Sequence, residues 1–159
     1  SLRMLKKAGV LGMNRRNAEY IMPGNPRSLF HLVDNKVLTK RLAEQYGVPI
    51  PPLYAVIEHH GDLNKIDDIL AGQNQFAVKP ARGSGGSGII LIFDRKGNDF
   101  FTQSEKKFST DDIAFYISSV LSGIYSLEGL EDHAIIEALI HPDEVFVSVT
   151  YQGFPISAL

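Results

Sequence analysis

Gly83-Ser84-Gly85-Gly86-Ser87-Gly88 satisfies the pattern G-x-G-x-x-G, and Lys79-Pro80 stands a few residues ahead of it. A loop of glycine and serine lets backbone N–H groups approach a phosphate closely where larger side chains would obstruct. In a dinucleotide-binding fingerprint such a loop opens a helix whose amino terminus holds the pyrophosphate. Here it opens the β-branched run Ile89-Ile90-Leu91-Ile92, which is strand chemistry. A P-loop ends in Gly-Lys-Ser/Thr and continues as a helix, and neither feature is present. What fits is a flap, strand to glycine loop to strand, that folds over phosphates. Protein kinases use a flap too, but place their phosphate-binding lysine on the following strand and supply a later His-Arg-Asp loop. Lys79 precedes the loop and no such triplet follows. A plain Gly/Ser linker is the remaining reading, disfavoured because apolar strands border the loop closely on both sides.

The other reactive residue types are sparse. His59-His60 beside Gly61-Asp62 suggests a metal site, but adjacent histidines point different ways in any regular structure and lack a third partner. His31, His133 and His141 are isolated. With no cysteine, a thiolate nucleophile, a disulfide framework and a cysteine-ligated zinc or iron–sulfur site are excluded.

The elements that must position the loop follow from periodicity. Residues 5–21 are rich in helix formers, and Pro23-Gly24-Asn25-Pro26 ends that pattern. From Asp34, the expected N-cap, Val37, Leu38, Leu42 and Tyr46 recur at helical spacing until Gly47 and Pro49 stop them. Residues 53–57 read as a strand, 62–70 as a short helix, 76–78 as a strand ending at Lys79-Pro80, and 89–93 as the strand after the loop. Asp94-Arg95-Lys96-Gly97-Asn98 is turn chemistry leading to a strand near Phe100. Ser109 or Thr110 caps a helix running to about Leu121, with Asp111 and Asp112 near its positive end. Residues 134–140 read as a buried strand, and Val145, Val147, Val149 and Tyr151 alternate with their neighbours. Residues 154–159 are strand-like and stop without a capping helix, as if the chain were cut inside a sheet.

Composition sets the outer bounds. A chain of 159 residues with 44% hydrophobic and 21% charged residues can bury one domain core. A net charge of -2 gives no overall basic field of the kind that attracts nucleic acid or anionic membranes, so neither is an expected partner. The longest apolar run, within residues 89–93, is far short of the roughly 20 residues a membrane helix needs. A cytoplasmic location is expected.

Between its strands, Lys79-Pro80-Ala81-Arg82-Gly83-Ser84-Gly85-Gly86 resembles the ATP-grasp superfamily. Two further segments agree in order. Asp34-Asn35-Lys36-Val37-Leu38-Thr39-Lys40 and then Gly47-Val48-Pro49-Ile50-Pro51 look like the helix and turn that open its nucleotide-binding unit. Ile135-Ile136-Glu137-Ala138-Leu139-Ile140 resembles the strand and linker lying along adenine. Asn14-Arg15-Arg16-Asn17 and the Asn25-Pro26-Arg27 turn are similar to the alpha-L-glutamate ligase-like, sugar-transfer-associated group.

That resemblance implies an α/β (α+β) fold, an antiparallel sheet facing helices, with the nucleotide between this unit and a second, incomplete sheet. It divides the chain into a leading helix and loop (1–33), an amino-terminal subdomain with the glycine loop (34–134), and the adenine linker with the start of a second, truncated subdomain (135–159). It assigns Lys36 and Lys79 to ATP phosphates, Arg82 to phosphate or an acidic substrate, and Gly83, Ser84, Gly85, Gly86 and Ser87 to the covering flap. Glu137 would accept from the adenine amino group, the main chain of Ala138 and Ile140 would read the base edge, and Leu139 and Ile140 would make apolar contact. Glu144 or Asp143 would bind ribose.

The family's magnesium ligands lie further on, after an Asp-Ile-Arg strand. Here Tyr151-Gln152-Gly153 passes straight to Phe154-Pro155 and no later acid exists, so the metal ligands are expected outside this segment. The implied function is the ATP-binding portion of a carboxylate–amine ligase acting through an acyl phosphate on small carboxylate and amine substrates. This segment alone is expected to be inactive and to self-associate through its cut sheet edge. An ATP-grasp phosphotransferase and a non-catalytic nucleotide-binding or interaction domain are the alternatives.

Overall fold

The computed structural model describes residues 2–126, 129–141, 143 and 145, and the backbone alone of 150–151 and 154–155. Its centre is β7 (Ala134–Ala138), a run of apolar residues broken by one glutamate. Such a run suits a strand covered on both faces. β7 lies between β1 (Leu53–Ile57) and β2 (Phe76–Pro80), and β3 (Ile90–Ile92) completes the order β1-β7-β2-β3. Every pairing is antiparallel: Leu53 sits opposite Glu137, Ala77 opposite Glu137 on the other side, and Phe76 opposite Ile92.

Side chains alternate across the sheet. Ala134 and Ile136 join Ile57, Phe76, Val78 and Ile92 on one face, packed against Ile66 and Leu70 of α6 (Ile66–Leu70) and Ile113, Ile117 and Val120 of α7 (Thr110–Leu121). Phe100 enters this core from a smaller sheet, β4 (Asp94–Lys96), β5 (Asp99–Phe101) and β6 (Lys107–Phe108), and meets Phe76 edge to face at 5.3 Å. On the opposite face, Ile135 and Ala81 pack with Val37 of α5 (Lys36–Gln45). β8 (Thr150–Tyr151) and β9 (Phe154–Pro155) form a separate antiparallel pair. The expected antiparallel sheet with flanking helices is thus present, and no described helix is long and apolar enough to cross a membrane.

Several local expectations change. The single leading helix is broken into α1 (Leu2–Lys7), α2 (Met13–Arg16), a π-helical turn (Asn17–Ile21) and α3 (Met22–Gly24), with none of their residues buried. Gly9 sits at φ +74, a left-handed conformation that ends a helix, and propensity alone does not signal it. Asp34 is not the N-cap of α5: it closes α4 (His31–Asp34), and the extended Asn35 caps instead, accepting from Val37 N at 2.9 Å and Leu38 N at 3.3 Å. Ser109 rather than Thr110 caps α7, in a reciprocal capping box with Asp112. The helix expected over 62–70 begins as a 3-10 turn (His60–Lys65).

Candidate functional site

On the α5 side of the sheet, four charged residues from three elements converge. Lys36 and Lys40 are one turn apart on α5 and share a face. Lys79 lies near the end of β2, and Glu137 on β7 stands diagonally across from it, within reach of a long side chain. Glu137 is 4% exposed. A carboxylate in that setting must be paired, and this one is paired twice. Oε1 contacts Lys79 Nζ, while Oε2 lies 2.6 Å from Lys40 Nζ, an ion pair not aligned as a hydrogen bond. Lys40, itself buried, also donates to the Pro51 carbonyl at 3.2 Å.

The third lysine holds the root of the glycine loop. Lys36 Nζ donates to the carbonyls of Gly83 at 2.5 Å and Ala81 at 3.4 Å, and its backbone N–H donates to Ala81 O at 2.9 Å. Its amine is shifted below the usual lysine value of 10.5, chiefly by burial and then by the charge of Lys79, with Asp132 and Glu137 acting the other way. Between that lowered value and 10.5 the unfolded chain binds more protons than the folded one, so this group makes stability rise with pH there. The stability difference between the wild type and Lys36→Met, from urea unfolding at a series of alkaline pH values, should rise towards pH 10.5 and then level. A flat difference would mean that the amine is solvated.

Asp132 anchors the same root from the other side. Buried to 3% exposure, it accepts the Arg82 backbone N–H on both oxygens at 3.0 Å and the His133 N–H at 2.7 Å. Ala81 N donates to His133 O, and Gly83 bridges to Ser126. At the far end, Gly88 has φ +72, and a Cβ there would come within 2.5 Å of the Tyr125 ring, so only glycine closes the loop this tightly. Between these anchors Ser84, Gly85 and Ser87 are exposed and Gly86 is half-buried.

The structure therefore brings Lys36, Lys79 and Glu137 together with Gly83. It leaves others elsewhere. The Arg82 side chain is exposed and makes no ion pair among the described residues. Ala138 N donates to Pro52 O at 2.9 Å. Ala138 and Leu139 line a separate cleft of about 560 Å³ with Tyr54, Gln75, Phe93 and Arg95. Ile140 is exposed, and Asp143, also exposed, accepts from Val145 N at 3.0 Å. Glu144 lies outside the described residues. Sequence reasoning missed Lys40, whose i+4 spacing from Lys36 on α5 was the available signal, and Asp132, which had none.

Chemically, three lysines against Glu137 and Asp132 leave excess positive charge beside a glycine loop, a setting that suits a polyphosphate. A family model described as sugar-transfer associated ATP-grasp matches residues 15–156. No curated protein and no solved structure matches the chain. The family match spans the lysine cluster, the glycine loop and the central strand alike, and the chain belongs to the sugar-transfer associated ATP-grasp family, with an ATP-binding ATP-grasp domain.

Proposed function

We propose that the chain is the ATP-binding portion of a ligase that joins a carboxylate to an amine through an acyl phosphate. The observation that carries this reading is Lys36 on the root of the glycine loop together with the partly exposed Lys79, which is paired with Glu137 and lies on the strand that leads into that loop, with a net positive balance. ATP supplies the phosphoryl group: a carboxylate oxygen bonds to the γ-phosphorus as ADP leaves, and the amine nitrogen then bonds to the acyl carbon as phosphate leaves. The protein's part in such a reaction is charge neutralisation and positioning. Lys79 would move from Glu137 to a phosphate oxygen, Lys36 would neutralise charge at the loop root, and the backbone N–H groups of 84–87 would cover the phosphates.

ATP-grasp domains generally take ATP with magnesium, but the described residues do not fit a metal site. They include no group of three histidine, aspartate or glutamate side chains able to hold a metal. Glu137 is held by two lysines and Asp132 by backbone N–H groups.

Hydroxylamine tests the reaction class. With ATP, magnesium and a panel of amino acids and other carboxylates, the intact ligase of which this chain is the ATP-binding portion is expected to yield a hydroxamate in step with ADP, while the chain by itself is expected to yield none. ADP release with a phosphorylated acceptor and no hydroxamate would replace the ligase by a phosphotransferase.

A further inference from the structure

We infer that Lys40 is the standing counterion of Glu137, a positioning residue whose charge lets Lys79 leave that carboxylate for a triphosphate; this rests on the ATP-binding reading above. Glu137 divides its two oxygens between two lysines of different character. Lys40 arises inside α5, its side chain is 9% exposed, and the Pro51 carbonyl holds it a second time. Lys79 arises at a strand end just ahead of the loop, its side chain is 21% exposed, and Glu137 is its one charged partner among the described residues. One lysine is fixed and the other can be exchanged. If Lys79 were the only cation on Glu137, drawing it to a phosphate would strand a carboxylate in the interior, which is strongly unfavourable. With Lys40 present, the departure leaves a paired carboxylate behind. Lys36 cannot take over this task, because its amine is held by the carbonyls of Ala81 and Gly83.

The test is titration calorimetry with ATP and with adenosine on wild type, Lys79→Ala, Lys40→Met, Glu137→Gln and the double variant Lys40→Met/Glu137→Gln, with near-UV spectra to verify folding. Lys40→Met is expected to weaken ATP binding about ten-fold or more, because Glu137 then retains Lys79. Adenosine binding should hold to within about two-fold of wild type. Removing the competing carboxylate should restore binding, so the double variant should match Glu137→Gln in ATP affinity. A merely structural Lys40 predicts no such rescue. Equal weakening of ATP and adenosine by Lys40→Met, or a double variant that binds ATP about ten-fold worse than Glu137→Gln, overturns the inference. Should Lys40→Met not fold, the comparison of the double variant with Glu137→Gln decides alone. Unchanged ATP affinity in Lys79→Ala would sink the phosphate reading itself, and the inference with it. That outcome is distinct, because Lys40 and Glu137 are intact in that variant.

Discussion

Replacing Lys79 by Ala should lower ATP affinity about ten-fold to a hundred-fold, the worth of a charge-assisted hydrogen bond of roughly 1.5–3 kcal/mol, and leave adenosine binding almost unchanged. The fold should survive, because Glu137 keeps its pair with Lys40 when Lys79 is shortened. The structure also argues for the lower part of that range. ATP must compete with Glu137 for Lys79, so the measured effect is the difference between two pairings of the same amine. Calorimetric titration with both ligands checks this. Equal losses for ATP and adenosine would indicate damage to the fold, and no loss for either would remove Lys79 from the site.

Glu137→Ala is expected to destabilise the protein by about 3–5 kcal/mol, as found when one member of a buried ion pair is deleted. Lys40 cannot reach water by a rotamer change alone, since its side chain is 9% exposed and already tied to Pro51. Glu137→Gln should be milder, because an amide oxygen still accepts from one lysine while the charge is lost. Urea unfolding of the two variants gives the comparison. A loss below about 1 kcal/mol for Glu137→Ala would mean that the cluster behaves as an exposed pair.

The parts of this fold legible in the sequence are those whose local signal agrees with the tertiary outcome. β1 over 53–57 and α7 ending at Leu121 follow from β-branched residues and from a capping serine. β7 was visible as an apolar run, though it ends at Ala138 rather than Ile140, whose side chain is exposed. β6 is two residues long, too short to show any period, and exists because Phe100 and Phe101 offer it a partner. Neighbouring acceptors hid the α5 cap: Asp34 and Asn35 are both good cap residues, and backbone conformation chose the second. In the site, Lys36, Lys79 and Glu137 were legible as candidates by type and context. Their meeting was not. It depends on the β2–β7 register and on the placement of α5 over Ile135, long-range facts that no window of sequence contains. Lys40 carried only its i+4 spacing from Lys36, a weak signal, since a helical lysine reads as solvated until its neighbour across the sheet is known.

The strand order has a consequence for biosynthesis. β7 is the last strand of its sheet to leave the ribosome, yet it is the one that joins β1 to the β2–β3 hairpin. Until residue 138 has emerged, β1 has no partner and β2 offers a bare edge, so the nascent chain displays apolar strands that cannot yet pair. Long-range pairings of this kind fold slowly and leave sticky edges exposed meanwhile. Translation speed and holding chaperones therefore have their greatest leverage between the release of β3 and the arrival of β7.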